Sequence, residues 1–181
     1  MTTSTLLSVA DRLNASIRTV ADFPKPGILF KDITPLFLDW QLCSDITDSL
    51  IDSLSTRPDA VCVVESRGFF IGMLLAQKLQ IPLIPVRKKG KLPAETLAYT
   101  YTLEYGTATL EIHKGVIEKG WNVLIHDDVL ATGGTAVAAA ELVKAEGGLI
   151  SGFAFIVELS FLAGKEKIAG YTTNIESVIT Y

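Results

Sequence analysis

The sequence predicts an α/β protein with a doubly wound, mostly parallel sheet flanked by helices. Three observations carry that expectation. Short apolar runs of strand length, Ala60–Val64, Ile81–Val86, Val123–Ile125 and Ile150–Leu159, alternate with segments whose apolar residues recur at helical spacing. Glu65, Arg87 and Asp127 fall at the ends of three of those runs, where open parallel sheets gather their sites. A loop rich in Gly and Thr, Ala131-Thr132-Gly133-Gly134-Thr135, joins the third run to an alanine-rich helical segment.

Taken in order, Leu6, Val9, Leu13, Ile17 and Val20 are spaced as on one face of a helix and predict an amphipathic helix over residues 3–20. Residues 22–35 hold three prolines and a glycine, yet also Phe23, Ile28, Leu29 and Phe30. An apolar loop of this kind must be covered by core, partner or ligand. Leu38, Leu42, Ile46, Leu50 and Leu54 mark a second helix. The strand at Ala60–Val64 ends at Glu65-Ser66-Arg67-Gly68, and a helix is expected over Ile71–Leu79. The strand at Ile81–Val86 ends in Arg87-Lys88-Lys89-Gly90-Lys91. Residues 97–112 alternate in part and predict a hairpin turning near Tyr105-Gly106. The strand at Val123–Ile125, a helix over Ala136–Val143, the strand at Ile150–Leu159 and a short tail complete the chain. With no repeat or linker, residues 1–181 are expected to form a single domain, with 1–36 as a leading segment and 95–112 as the hairpin.

Composition narrows the function. Of 181 residues, 49% are apolar and 20% charged, which fits a globular chain and not an extended disordered one. The net charge of −4 argues against nucleic acid as a general partner. No apolar run is long enough to cross a bilayer, and the first residues lack the pattern of a secretory leader, so no membrane partner is expected. Cys43 and Cys62 are too few for a disulfide framework, and Cys62 sits in an apolar run as a buried thiol. A cytoplasmic protein is expected.

The loop at 131–135 is the centre of the chemistry. Glycines between a strand and a helix let backbone N–H groups close around a phosphate at the helix start, and the Thr hydroxyls add donors. Asp127 and Asp128, just upstream, can accept hydrogen bonds from vicinal hydroxyls. Each feature alone is commonplace: a Gly-Gly turn is often a plain connection and two acids are often a solvated loop. Together they describe a pocket for a ribose 5-phosphate. The loop lacks the Gly-Lys-Ser/Thr ending of a Walker loop and is not the dinucleotide G-x-G-x-x-G pattern.

Four of the sixteen basic residues lie within Arg87–Lys91, either as a solvated turn or as the seat of a second, more highly charged anion such as pyrophosphate. Ser66, Arg67 and Gly68 form another strand-end turn open to the same two readings. The aromatic hairpin is either a surface feature or a lid that excludes water, with Glu104 near its tip as a proton-transfer group. His126 reads as a strand residue and His113 as a surface one. Neither has the spacing of a metal ligand, so no protein-built metal site is expected.

Five segments then point to one family. They are Phe23-Pro24-x-Pro26-Gly27-Ile28-x-Phe30-x-Asp32, Glu65-Ser66-Arg67-Gly68-Phe69, Val86-Arg87-Lys88-x-Gly90-Lys91-Leu92-Pro93, Leu103-Glu104-Tyr105-Gly106, and Asp127-Asp128-x-Leu130-Ala131-Thr132-Gly133-Gly134-Thr135. Together and in this order they resemble the adenine phosphoribosyltransferases, members of the type I phosphoribosyltransferase family. The resemblance implies transfer of a phosphoribosyl group from its pyrophosphate to adenine N9, giving AMP and pyrophosphate. It implies a type I phosphoribosyltransferase-like fold with a small N-terminal base-binding hood and a flexible hairpin lid. Ala131, Thr132, Gly133, Gly134 and Thr135 would hold the 5′-phosphate, and Asp127 and Asp128 the ribose. Ser66, Arg67, Arg87, Lys88 and Lys91 would meet the pyrophosphate. Leu29, Phe30, Lys31 and Arg67 would surround the adenine, with Phe30 against the ring and the Leu29 backbone reading its edge. Glu104 would be the catalytic proton carrier.

The resemblance also implies Mg²⁺ on pyrophosphate and ribose oxygens, held through ligand and water, and a homodimer in which Arg87 reaches the neighbouring site. Hypoxanthine-guanine relatives place an Asp where this chain has Ala131, which leaves Glu104 as the available proton carrier. Many members have Arg where this chain has Lys31. Two rivals are a guanine- or xanthine-specific transferase on the same scaffold and a non-catalytic regulator that binds the activated sugar. The second normally carries an added DNA-binding module, for which about twenty residues before the base loop leave little room.

Overall fold

The computed structural model describes residues 7–23, 25–102 and 106–181. A capping box opens the first helix: the Ser8 hydroxyl accepts the Asp11 N–H at 3.1 Å, and the Asp11 carboxylate accepts the Ser8 N–H at 3.2 Å. Helix α1 spans only Val9–Ser16. Arg18–Ala21 forms strand β1 instead, pairing antiparallel with β2, Leu29–Asp32, in a two-stranded sheet. The helix expected over 3–20 is corrected accordingly. Ile17, Thr19 and Val20 are β-branched, and cross-strand pairing outweighed the helical spacing of Ile17 and Val20. Leu6 lies outside the described residues.

A 3₁₀ turn at Thr34–Leu38 leads into α2, Trp40–Asp52, where the Asp39 carboxylate accepts the Leu42 N–H at 2.9 Å. The order then runs β3 (Ala60–Val64), α3 (Gly68–Leu79), β4 (Leu83–Lys88), β5 (Thr96–Thr102), β6 (Thr107–His113), β7 (Asn122–Leu130), α4 (Gly134–Ala145), β8 (Leu149–Glu158), α5 (Gly164–Ile168) and β9 (Ile175–Thr180). One seven-stranded sheet has the order β5-β6-β4-β3-β7-β8-β9. The pairs from β4 through β9 are parallel, and β6 joins β4 antiparallel, as β5 joins β6. The α/β fold with its mostly parallel, helix-flanked sheet is as the sequence predicts.

Other elements differ from expectation as well, α3 among them, which starts at Gly68 and not at Ile71. Strand β7 continues past Asp127 and Asp128 to Leu130, because β8 pairs with it through Glu158. The fourth strand is shifted from 81–86 to Leu83–Lys88. The supposed tail contains α5, too short to show a period, and β9, an edge strand buried mainly at its first residue.

All five residues of β3 are buried, as a central parallel strand requires. Ala60, Cys62, Val64, Ile125 and Phe155 pack with α4 on one face; Val61, Val63, Leu124 and Ala154 pack with α2 and α3 on the other. Burial pushes the Cys62 thiol well up from its ordinary value, leaving it inert. Helix α3 lies close on β3 because position 72 has no side chain. A Cβ at Gly72 would stand 2.4 Å from Val63 Cγ1 and 2.6 Å from its Cγ2, and valine has little rotamer freedom to yield. Gly72→Ala is therefore expected to cost about 1–3 kcal/mol, lowering Tm by roughly 2–12 °C in thermal unfolding.

Candidate active site

Register brings the candidate residues to one edge. Val63 pairs with His126 and Val64 with Val86, so Glu65, Arg87 and Asp128 fall in one row where β3, β4 and β7 approach their carboxyl ends. Strand spacing separates Arg87 from Asp128 by roughly 10 Å across that row.

The strand-loop-helix seat follows β7. Gly133 takes φ +74°, a left-handed turn suited to glycine, and α4 starts at Gly134 with no side chain capping it. Its first-turn N–H groups have no acceptor within the helix. They face a cavity of about 60 Å³ lined by Asp127, residues 129–136 and Phe155. The Tyr101 ring leans on the loop, with its hydroxyl 3.3 Å from Thr135 Oγ1. The structure thus brings Ala131, Thr132, Gly133, Gly134, Thr135 and Asp127 together around one hollow.

Asp127 and Asp128 differ sharply in surroundings. Asp128 is buried and accepts a hydrogen bond from Arg67 Nε. Asp127 opens on the cavity, its Oδ1 accepting the Asp128 N–H at 2.8 Å. Desolvation, and then the neighbouring Asp128 charge, hold the Asp127 carboxyl well above the usual carboxylate range. His126 lies under the pair with no exposed surface, and desolvation lowers it to about 4, so it is neutral at pH 7. Its Nδ1 donates to the Ala154 carbonyl at 2.9 Å.

Arg67 also connects two regions. Its guanidinium carbon stands 5.9 Å from the Phe30 ring centre, and Phe30 meets Phe23 edge-on at 5.0 Å. The Glu65–Ser66 peptide bond before it is cis, and Ser66 is exposed. Leu29 is 67% exposed beside Phe30. Lys31 is not on Phe30's side of β2: alternation sends it to the opposite face, where its Nζ lies 4.3 Å from the Tyr181 ring centre and 3.1 Å from Thr19 Oγ1.

The basic turn is braced by acids. Arg87 Nε donates to Glu65 at 2.8 Å and its Nη1 to the Lys91 carbonyl at 3.1 Å, while Lys88 and Lys91 remain exposed. The Gly90 N–H donates to Glu111 at 3.0 Å. His113 Nε2 meets the Pro93 carbonyl at 2.7 Å. Glu104 lies outside the described residues.

Two supporting residues escaped the sequence reading. Glu111 is buried between Leu110 and Ile112, and an acid inside an apolar alternation was its only signal. Gly164 supports the 131–135 loop: a Cβ there would fall 2.1 Å from the Ala131 carbonyl oxygen, and one at Gly133 would stand 2.8 Å from the Gly164 oxygen. Nothing in Ala163-Gly164-Lys165 announces that contact.

A two-glycine loop on a helix start with paired acids upstream defines the class, and the family model of the phosphoribosyl transferase domain matches residues 37–178. The adenine phosphoribosyltransferase of Cytophaga hutchinsonii is 52% identical over 170 residues, covering 93% of this chain and 94% of that protein. The crystal structure of adenine phosphoribosyltransferase from Thermoanaerobacter pseudethanolicus superposes with TM-score 0.90 at 46% identity, over 95% of this chain and 99% of that one. The Saccharomyces cerevisiae enzyme, complexed with D-2,5-dideoxy-2,5-imino-altritol 1,6-bisphosphate and adenine, superposes with TM-score 0.88 at 37% identity, over 94% and 98% of the two chains. This chain belongs to the adenine phosphoribosyltransferase family.

The raised Asp127 carboxyl has a consequence for stability. The folded state holds that proton more tightly than the unfolded chain, so this group's contribution to stability falls as pH rises above about 3.8. Asp127→Asn is expected to raise Tm of the unliganded protein at pH 8. The gain should shrink toward zero as pH approaches 4, read by thermal unfolding across a pH series.

Proposed function

We propose that this chain transfers the phosphoribosyl group of 5-phosphoribosyl 1-pyrophosphate to N9 of adenine, giving AMP and pyrophosphate, as a purine salvage enzyme. One observation carries the reading: an uncapped helix start behind Gly133 opens onto the same hollow as Asp127, with Asp128 beside it. The yeast relative's complex with adenine and an imino-sugar bisphosphate supports it.

In this reading residues 131–135 take the 5′-phosphate through backbone N–H groups and the Thr hydroxyls. Asp127 and Asp128 take the ribose hydroxyls. A carboxyl held above its ordinary range becomes a better partner when a hydroxyl and nearby cations replace water around it. Ser66, Arg67, Arg87, Lys88 and Lys91 take the pyrophosphate, with Glu65 and Glu111 holding the basic turn in shape. Phe30 covers one face of the base, the Leu29 backbone reads its edge, and Arg67 spans base and anion. Lys31 contributes to the base slot through the strand it shares with Phe30, its side chain lying on the opposite face.

The reaction forms the N9–C1′ bond as the C1′–O bond to pyrophosphate breaks. Positive charge develops on the sugar ring and negative charge on the leaving group, which the basic turn stabilises. The base is held in line, and the hairpin closing over the site keeps water from the sugar cation. Glu104 accepts a proton from the purine ring. Mg²⁺ would be carried on pyrophosphate and ribose oxygens and water, with the carboxylates of Asp127 and Asp128 nearest it, since this cation keeps much of its hydration. When bound, it neutralises charge on the leaving pyrophosphate.

In this reading the protein works in the cytoplasm, a reducing compartment in which Cys43 and Cys62 would stay thiols. Two copies pair through the apolar face of α2 and α3, where Trp40 is 77% exposed beside Phe37 and Phe70, and Arg87 reaches toward the neighbour's site. Sedimentation at micromolar concentration should give a dimer, and a monomer there would refute the pairing.

With Mg²⁺ and phosphoribosyl pyrophosphate, adenine should yield AMP, while hypoxanthine, guanine and xanthine should yield little product. Glu104→Ala should lower kcat by about ten- to a thousand-fold with sugar-phosphate binding retained. Equal turnover of guanine, or unchanged kcat in that variant, would overturn the base assignment or the role of Glu104 respectively.

A further inference from the structure

We infer that Tyr181 is a positioning residue for the purine: it fastens the β1–β2 hairpin to the body and so sets where Phe30 stands. The inference rests on the hairpin's being the base slot.

The hairpin is a sheet of its own, with no strand pairing to the seven-stranded sheet among the described residues. Internal contacts give it shape. Arg18 donates to Asp32 at 2.5 and 3.1 Å, and Asp32 accepts the Thr34 N–H at 2.9 Å and hydroxyl at 2.7 Å. These bonds brace the hairpin's open end without fixing its angle to the sheet. Ile17 and Ile33, just outside the two strands, pack at its base in the core on the α2–α3 side, and farther out side chains on its two faces reach the body. On one face Phe30 meets Arg67. On the other, Lys31 Nζ sits 4.3 Å from the Tyr181 ring centre.

Tyr181 is itself held from three directions. Its hydroxyl donates to Asn14 Oδ1 on α1 at 2.7 Å. Its carbonyl accepts the Ser160 N–H at 2.9 Å and the Ser160 hydroxyl at 2.6 Å. Its N–H donates to the Glu158 carbonyl at 2.9 Å, at the end of β8. Burial pushes the phenol up from its ordinary value, so the hydroxyl remains a donor through neutral and mildly alkaline pH. A ring so tied is a fixed platform, and the ammonium resting on it is one peptide link from Phe30. Movement of Lys31 off the platform therefore tilts the residue that covers the base. Neither Lys31 nor Tyr181 needs to touch adenine for this.

The test is a double-variant cycle read by steady-state kinetics. Tyr181→Leu and Lys31→Met are each expected to raise KM for adenine by about three- to thirty-fold, the scale of a partly shielded cation–ring contact. KM for phosphoribosyl pyrophosphate should stay within twofold, and kcat at saturating adenine should be largely kept. Tyr181→Phe, which keeps the ring, should restore most of the adenine affinity. The double variant should cost no more than the larger single one, because both remove the same contact. Lys31→Met keeps the test informative even if Tyr181→Leu folds poorly. Additive losses in the double variant, or an adenine KM unchanged within twofold in Lys31→Met, would overturn the inference. Phe30→Ala separates the two readings. If it raises the adenine KM while Lys31→Met does not, the base slot stands and the anchoring fails. If it too leaves that KM unchanged, the base-slot reading itself fails.

Discussion

Two carboxylates stand side by side at the end of a strand that pairs on both sides, and most of the site is arranged around that uncomfortable fact. Adjacent side chains on a strand point to opposite faces, so Asp127 opens to the cavity and Asp128 turns under Arg67. Arg67 can be there only because α3 begins immediately after it and comes close. A Cβ at Gly68 would already stand 3.1 Å from Asp127 Oδ1. The ion pair neutralises the deeper acid, while the shallower one keeps its desolvation cost until something fills the cavity.

That arrangement is partly legible in the sequence. Asp127, Asp128 and the 131–135 loop are contiguous, so the chain itself carries their spacing. Their place within β7, and not beyond it, was not legible, because only pairing to β8 decides where the strand stops. The α/β alternation was readable for the same local reason: β3 is apolar throughout, and α2 shows a clear period. Contacts between distant segments left no such trace. Gly164 under the loop and Glu111 behind the basic turn depend on crossings between elements far apart in sequence. Ile17 and Val20 continue the helical spacing of Val9 and Leu13, and only the partner strand at Leu29–Asp32, pairing with Arg18–Ala21, ends the helix at Ser16.

The β1–β2 hairpin illustrates how alternation divides contacts within four residues. Phe30 and Asp32 serve the side facing Arg67 and the interior, whereas Lys31 serves the side facing Tyr181. A basic residue next to an aromatic one in sequence need not share its contacts. In this hairpin the two act on opposite sides of the same ribbon.

The β5–β6 hairpin has a foot and a tip with different obligations. Leu110 and Ile112 are buried in the α4-side core, and β6 pairs with β4 through Glu111 and Leu110. Farther out, Thr100 and Thr102 are exposed. Such an element is rooted like a beam in a wall. Its outer strand also leans inward, Tyr99 and Tyr101 packing against the α4-side core, so a change near the root would be felt beneath α4 and along the 131–135 loop together.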